Sequence, residues 1–224
     1  MIAHAVAAPV LERLGGRREL RVRQAGPRAA YVDLDGFVVV VVGRGGPLLP
    51  NGVVVTSEPR AGTVTLGGAT VWDPTLRPAP AGRGDAILAA LGAHDAPLER
   101  AVATRDPELA GAVAGGLVGR GPGLTPEGDD AIAASAAVVA AGPWPAPLKT
   151  AWLDAVSGAA LRARTTDLSA TLLELAAQGA VAEPVHAVLT ADRWRAALAR
   201  LTRLGHSTGR AYAVNAAASA RALG

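Results

Sequence analysis

Ala29-Ala-Tyr-Val-Asp-Leu-Asp-Gly-Phe-Val-Val-Val-Val-Val42 reads as a β-hairpin. Asp35-Gly36 is a two-residue turn of the kind that takes positive φ, and β-branched and aromatic residues flank it at strand spacing. The unbroken run Phe37 to Val42 predicts a strand buried on both faces. Working outward, Glu19 to Gln24 alternates polar and apolar, and Gly43 to Pro50 is a turn-rich loop. Gly52 to Thr56 and Gly62 to Leu66 read as two further strands, Gly67-Gly68 as a turn, and Ala69 to Trp72 as a last short strand. Short strands at this spacing predict a small barrel or sandwich.

Near residue 80 the pattern changes. Trp72-Asp73-Pro74 and the Pro- and Gly-rich stretch Arg77 to Gly84 read as a linker. After it the apolar period becomes helical. Asp85 is expected to cap a helix through Ile87, Leu88 and Leu91, and Asp106 to cap another with Pro107 at its first position. Leu148, Trp152 and Val156 recur at helical spacing, as do Leu168, Leu172 and Leu175, with Gly179 as the expected C-cap. Trp194, Leu198 and Leu201 form another face, and Gly209 to Leu223 reads as a terminal helix. The expected class is α+β: a small β-rich N-terminal barrel or sandwich over residues 1–80, followed by an all-helical domain over residues 81–224.

Composition narrows the function classes. Half of the 224 residues are hydrophobic and only 3% are aromatic, so the core is filled by Ala, Val and Leu. The net charge is +3 and Lys149 is the only lysine. The arginines are scattered among acids, with no basic run and no interleaved aromatics, which argues against a nucleic-acid partner. The chain has no cysteine, which excludes disulfides, thiol catalysis and thiolate metal sites. Ala131 to Gly142, the longest apolar run, is too short to span a bilayer, and the first residues do not read as a signal peptide. The expectation is a soluble cytoplasmic protein.

The stretch with the most chemistry is Gly119-Arg-Gly-Pro-Gly-Leu-Thr-Pro-Glu-Gly-Asp-Asp130. It lies between helical segments and opens a helix. Thr125 is the expected N-cap with Pro126 at the first helical position. The amides of Glu127, Gly128 and Asp129 would then lack intrahelical partners. Glycines 119, 121, 123 and 128 permit positive φ and close approach of a ligand, so an anion site at the helix N-terminus is expected. Two carboxylates beside a bare phosphate repel it. That conflict disappears if Mg²⁺ sits between Asp129 and Asp130, if an arginine (Arg120, Arg162 or Arg164) bridges them, or if they bind a substrate amide or amine. Adjacent helical residues point about 100° apart, so one aspartate is expected to face the ligand and the other to hold the loop. On spacing alone, a connection whose acids favour the positive end of a helix explains the stretch as well. Neither a P-loop nor a Rossmann fingerprint fits.

Gly-x-Gly-Pro-Gly-Leu-Thr-Pro-x-Gly-Asp-Asp, here Gly119 to Asp130, resembles the signature of the AllH-like family, named for a subunit of oxamate carbamoyltransferase. Pro50-Asn51-Gly52 and Gly67 to Trp72 are similar to its β-rich N-terminal region. Thr165 to Gly179 resembles its Thr/Ser segment before a Leu-rich helix, and Leu204-Gly-His-Ser-Thr-Gly209 its closing motif. The resemblance implies a subunit of a complex of anaerobic allantoin breakdown that converts oxalurate and phosphate to oxamate and carbamoyl phosphate. Ala131 and Ala134 after the Asp pair, and Arg210 and Ala211 after the last motif, depart from the pattern and leave the substrate open.

With that resemblance, Asp129, Asp130 and His206 are the expected catalytic residues, His206 as general acid or base. Asn51, Gly121, Gly123, Leu124, Thr125, Gly128, Thr166 and Ser207 are the expected substrate contacts, and Asp129 and Asp130 the ligands of a magnesium ion. Capping is the plain explanation for Thr165, Thr166, Ser169, Ser207 and Thr208, and turn geometry for Asn51. His4, His94 and His186 read as surface or capping residues. The expected partners are a small-molecule substrate and other subunits of a carbamoyltransferase-like complex. The alternative is a non-catalytic metabolite-binding or assembly subunit.

Overall fold

The computed structural model describes residues 1–92 and 95–224; His94 lies outside the described residues. The chain divides into two compact units, Met1–Pro74 and Thr75–Gly224. The first carries β1 (Ala3–Ala7), α1 (Ala8–Leu14), β2 (Glu19–Val22), β3 (Ala29–Leu34), β4 (Phe37–Val42), β5 (Gly52–Val55), β6 (Gly62–Thr65) and β7 (Thr70–Trp72). The second is helical: α2 (Arg83–Leu91), α3 (Glu99–Ala103), α4 (Pro107–Leu117), α5 (Glu127–Ala141), α6 (Ala146–Ser157), α7 (Ala159–Arg162), α8 (Asp167–Ala177), α9 (Glu183–Thr190), α10 (Trp194–Leu201) and α11 (Thr208–Leu223). The fold is α+β.

In the first unit a five-stranded sheet runs in the order β3-β4-β5-β1-β7, and β2 and β6 form a separate pair. Neither sheet closes into a barrel. The hairpin forms as its turn chemistry requires. Asp35 and Gly36 take φ of 54° and 84°, the two positive values of a type I′ turn, and Leu34 pairs with Phe37. The Gly36 amide donates to Asp33 Oδ1 at 2.7 Å. Every residue of β4 is buried, as is every residue of β5, its parallel neighbour. The second sheet alternates instead: Leu20 and Val22 face in, while Glu19 and Arg21 face out.

The second unit is organised around α5, which is buried from Gly128 through Val139. Its small side chains let neighbouring helices approach. α11 runs alongside it, with Thr208 beside Asp130 at one end and the Leu223 side chain against Gly142 at the other. Larger residues fill the remaining space. Trp152 is fully buried and meets Trp144 edge-on at 6.0 Å.

Helix starts follow the expected caps in part. Asp106 accepts from the Leu109 amide at 3.0 Å, and Thr166 accepts from the Ser169 amide at 3.1 Å. Asp85 is not a cap: α2 begins earlier, at Arg83 after Gly82 in a left-handed conformation, and Asp85 lies in its first turn. Thr125 is not the cap of α5 either. Pro126 occupies that position, and the Thr125 hydroxyl is engaged with Thr208 instead. Gln178 ends α8, and Gly179 follows it with φ of 82°.

Candidate functional site

Three stretches far apart in sequence meet around the first turn of α5. Asp129 and Asp130 are 2% and 1% exposed. Asp129 Oδ1 accepts from the Gly119 amide at 2.8 Å, and its Oδ2 accepts from the Thr165 hydroxyl. Asp129 thus fastens the start of the glycine-rich loop and the approach to α8 to one carboxylate. Thr166 donates to the Leu124 carbonyl at 2.6 Å, and Ser169 reaches the same oxygen at 3.4 Å. Thr125 and Thr208 place their hydroxyl oxygens 3.2 Å apart.

Asp130 differs from its neighbour. A hydrogen bond from Thr208 reaches it, but its Oδ2 is buried with no partner. Burial pushes its carboxyl up to about 8, with Asp129 and Glu127 adding to the rise and Thr208 opposing it. At neutral pH the carboxyl therefore holds a proton. Burial raises the Tyr212 phenol as well, helped by Asp130 and Asp129, so it stays a hydrogen-bond donor.

The loop amides divide into two groups. The Gly128 amide donates to the Arg120 carbonyl at 3.0 Å, and the Asp129 amide to the Pro126 carbonyl at 2.9 Å. These two are not available to an anion, contrary to expectation. The amides of Gly121, Gly123, Leu124, Thr125 and Glu127 carry no bond to the chain among the described residues. Gly121 and Gly123 take φ of 120° and 93°, and a Cβ at Gly123 would meet open space. Consecutive free N–H groups in such a loop form a concavity suited to an anion. Gly128 serves a different purpose: a Cβ there would lie 2.1 Å from the Leu117 carbonyl oxygen, so main chain packs on main chain.

The other expected residues fall in several places. His206 is exposed in the turn before α11, and Ser207 stands at its N-cap position without a side-chain capping bond. Leu124 is 53% exposed beside the free amides. Asn51 belongs to the first unit. It is fully buried and donates to the Val38 carbonyl at 2.8 Å, with Oδ1 unpartnered. His4 is exposed, and His186 pairs with Thr190 in its own helix. The three arginines expected to bridge the Asp pair bind carbonyls instead: Arg120 that of Gly116, Arg164 that of Gly115 and Arg162 that of Ser157. The first two sit at the negative end of α4, where cations are favoured.

A magnesium ion held by both aspartates fits this geometry poorly. Both Asp129 oxygens already accept hydrogen bonds, and the Asp130 carboxyl is buried with its Oδ2 unpartnered. Among the described residues no group of three His, Asp or Glu side chains is placed to hold a metal ion. Nor is any described helix long and apolar enough to cross a membrane.

Tyr212 is the site residue that the sequence reading missed. Its signal is spacing: it follows Thr208 by four positions on one helix and so shares its face.

No curated protein and no solved structure matches the chain. Residues 117–219 match the family model described as oxamate carbamoyltransferase subunit AllH. The match takes in all three stretches that meet at Asp129 and Asp130.

Proposed function

We propose that the chain is the ligand-handling component of a carbamoyltransferase-like enzyme, and that it binds a small phosphate- or carboxylate-bearing molecule at loop 119–130. The observation that carries this reading is the pairing of two features on one loop. Five free amides, from Gly121 to Glu127, lie in the loop that opens the helix carrying Asp130, a buried carboxyl with an unpartnered oxygen. The amides favour a negative group, and the protonated Asp130 carboxyl offers an O–H donor beside its remaining acceptor capacity. A carbamoyl-bearing acid matches both.

In such a transfer a phosphate oxygen bonds to the carbamoyl carbon, the bond from that carbon to the leaving nitrogen breaks, and the nitrogen takes up a proton. Preorganised N–H dipoles stabilise the negative charge without a covalent nucleophile. Asp130 holds a proton at neutral pH and is one donor for the leaving nitrogen; His206, exposed at the adjoining turn, is the other. Asp129 holds the loop. Magnesium enters as a condition of the test rather than as a step.

The family is named for a subunit, which supports a second reading, in which this chain binds the metabolite and partner subunits complete the chemistry. One experiment separates the two. A thermal-shift panel would use phosphate, carbamoyl phosphate, oxamate, oxalurate and ATP, with and without Mg²⁺, on the unaltered chain and on Asp129→Asn and Asp130→Asn. A ligand at about 100 times its Kd stabilises by roughly 2.7 kcal/mol. A shift that disappears in folded Asp130→Asn, with turnover by the chain alone, supports the enzyme. A shift without turnover supports the subunit. A shift unchanged in Asp130→Asn removes this loop as the site.

A further inference from the structure

The first unit carries a second feature that the proposed chemistry does not use. β3 is the outer strand of the five-stranded sheet, and β2 has only β6 as a strand partner. The two free edges begin together. Ala25 bridges Ala30, and the Gly26 amide donates to the Ala29 carbonyl at 2.9 Å. Beyond that point they diverge, and a cleft of about 470 Å³ opens between them, within the usual range for ligand sites. Arg17, Arg21, Arg23, Tyr31 and Asp33 line it.

The register shows what the cleft walls present. In a two-residue hairpin the Leu34–Phe37 pair exchanges hydrogen bonds, so Val32 and Ala30 also bond to β4. The Tyr31 carbonyl and the Asp33 amide and carbonyl then point out of the sheet edge. On β2, the Leu66 amide donates to the Arg18 carbonyl, which puts Leu20 and Val22 in the ladder with β6. The Glu19 and Arg21 main-chain groups point out toward the cleft. Unpaired main chain on a sheet edge offers ladder hydrogen bonds to an added extended backbone.

Charge selects the kind of backbone. The Asp33 carboxylate is engaged by the Gly36 amide, and Arg17 Nε is engaged by the Leu14 carbonyl. Arg17, Arg21 and Arg23 line the cleft with two carboxylates, Glu19 and Asp33, and Arg21 and Arg23 have no bonded partner among the described residues. Tyr31 is 48% exposed and adds an aromatic face. We propose that the cleft between β2 and β3 takes up an extended acidic segment of another polypeptide by strand addition.

The test is fluorescence anisotropy on the full chain with a labelled peptide, acetyl-Val-Glu-Val-Asp-Val-Glu-amide. Two control peptides accompany it: one with lysines at the acidic positions, and one N-methylated at alternate amides. The acidic peptide should bind. The lysine peptide should not, and N-methylation should abolish binding because it removes the ladder donors. Arg21→Glu with Arg23→Glu, both exposed, should weaken binding by about tenfold or more and leave the thermal midpoint in place. Three outcomes overturn the proposal: no binding at ~1 mM peptide, a millimolar affinity being near the weakest that counts as recognition; equal binding of the N-methylated peptide; or full binding by the double variant. Self-association of the chain that the double variant abolishes would assign the cleft to a second copy and overturn it too.

Discussion

The Gly119 amide and the Asp129 carboxylate lie ten residues apart and meet at 2.8 Å, closing the glycine-rich loop on the helix it opens. Thr165 donates to the other oxygen of the same carboxylate, so one buried side chain joins α5, the loop and the approach to α8. Asparagine keeps the shape but turns one acceptor into a donor. Asp129→Asn should therefore lose about 1–3 kcal/mol, and Thr165→Ala about 1 kcal/mol, in urea unfolding. The two effects should be less than additive, because both remove the same bond. An unchanged urea midpoint in Asp129→Asn would mean that the carboxylate does not hold the loop.

Asp130 predicts a pH dependence of opposite sign to the usual carboxylate. Its folded value, about 8, lies above the ordinary range near 4. Between those values the native state binds a proton that the unfolded chain has released, so stability falls as pH rises. The contribution is fully present below about pH 4 and is lost as pH passes through about 8. Asp130→Asn cannot ionise, so its thermal midpoint should decline less across that window, and its advantage over the unaltered chain should grow toward pH 8. Parallel midpoint-against-pH curves for the two proteins would refute the raised value.

Close main-chain contacts make a sharper prediction about glycine. A Cβ at Gly209 would lie 1.7 Å from the Leu201 carbonyl oxygen, and one at Gly128 would lie 2.1 Å from that of Leu117. Either alanine must push a helix off its neighbour, so Gly209→Ala and Gly128→Ala should each lose about 3 kcal/mol or more, or fail to fold. Gly116 lies in α4 with nothing near the position of a Cβ. Gly116→Ala should stabilise by about 0.5–1 kcal/mol by removing freedom from the unfolded chain. Equal effects at the three positions would show that helix propensity, not packing, governs them.

What sequence could show divides along a physical line. The hairpin was legible because Asp35-Gly36 and a β-branched run are local signals, and β4 is buried on both faces as its composition requires. The different fates of Asp129 and Asp130 were partly legible too, from the 100° step between adjacent helical residues. Features decided by distant residues were not. Thr125 has the chemistry of a cap, but its hydroxyl meets Thr208, 83 positions on. Arg120, Arg162 and Arg164 have the charge to bridge two carboxylates, but helix-end carbonyls claim them. Asn51 stands in a turn-rich stretch, and its buried bond to the Val38 carbonyl, 13 positions back, is likewise set by a residue the turn signal does not name.

Thr208 offers a way to perturb Asp130 without touching it. Its hydroxyl lies 3.2 Å from that of Thr125, and its hydrogen bond to Asp130 is what restrains the rise of that carboxyl. Thr208→Val keeps the volume and removes both interactions, leaving the carboxyl raised further. The upper limb of the pH–stability curve should then move to higher pH. Thr125→Val removes one link and leaves the bond to Asp130 in place, so it should shift the limb less. A cycle of the two single variants and the double variant should show coupling of about 0.5–1.5 kcal/mol, because the residues share one chain of hydrogen bonds. Additive losses with an unmoved limb would mean that the two hydroxyls only pack, and that Asp130 is set by burial alone.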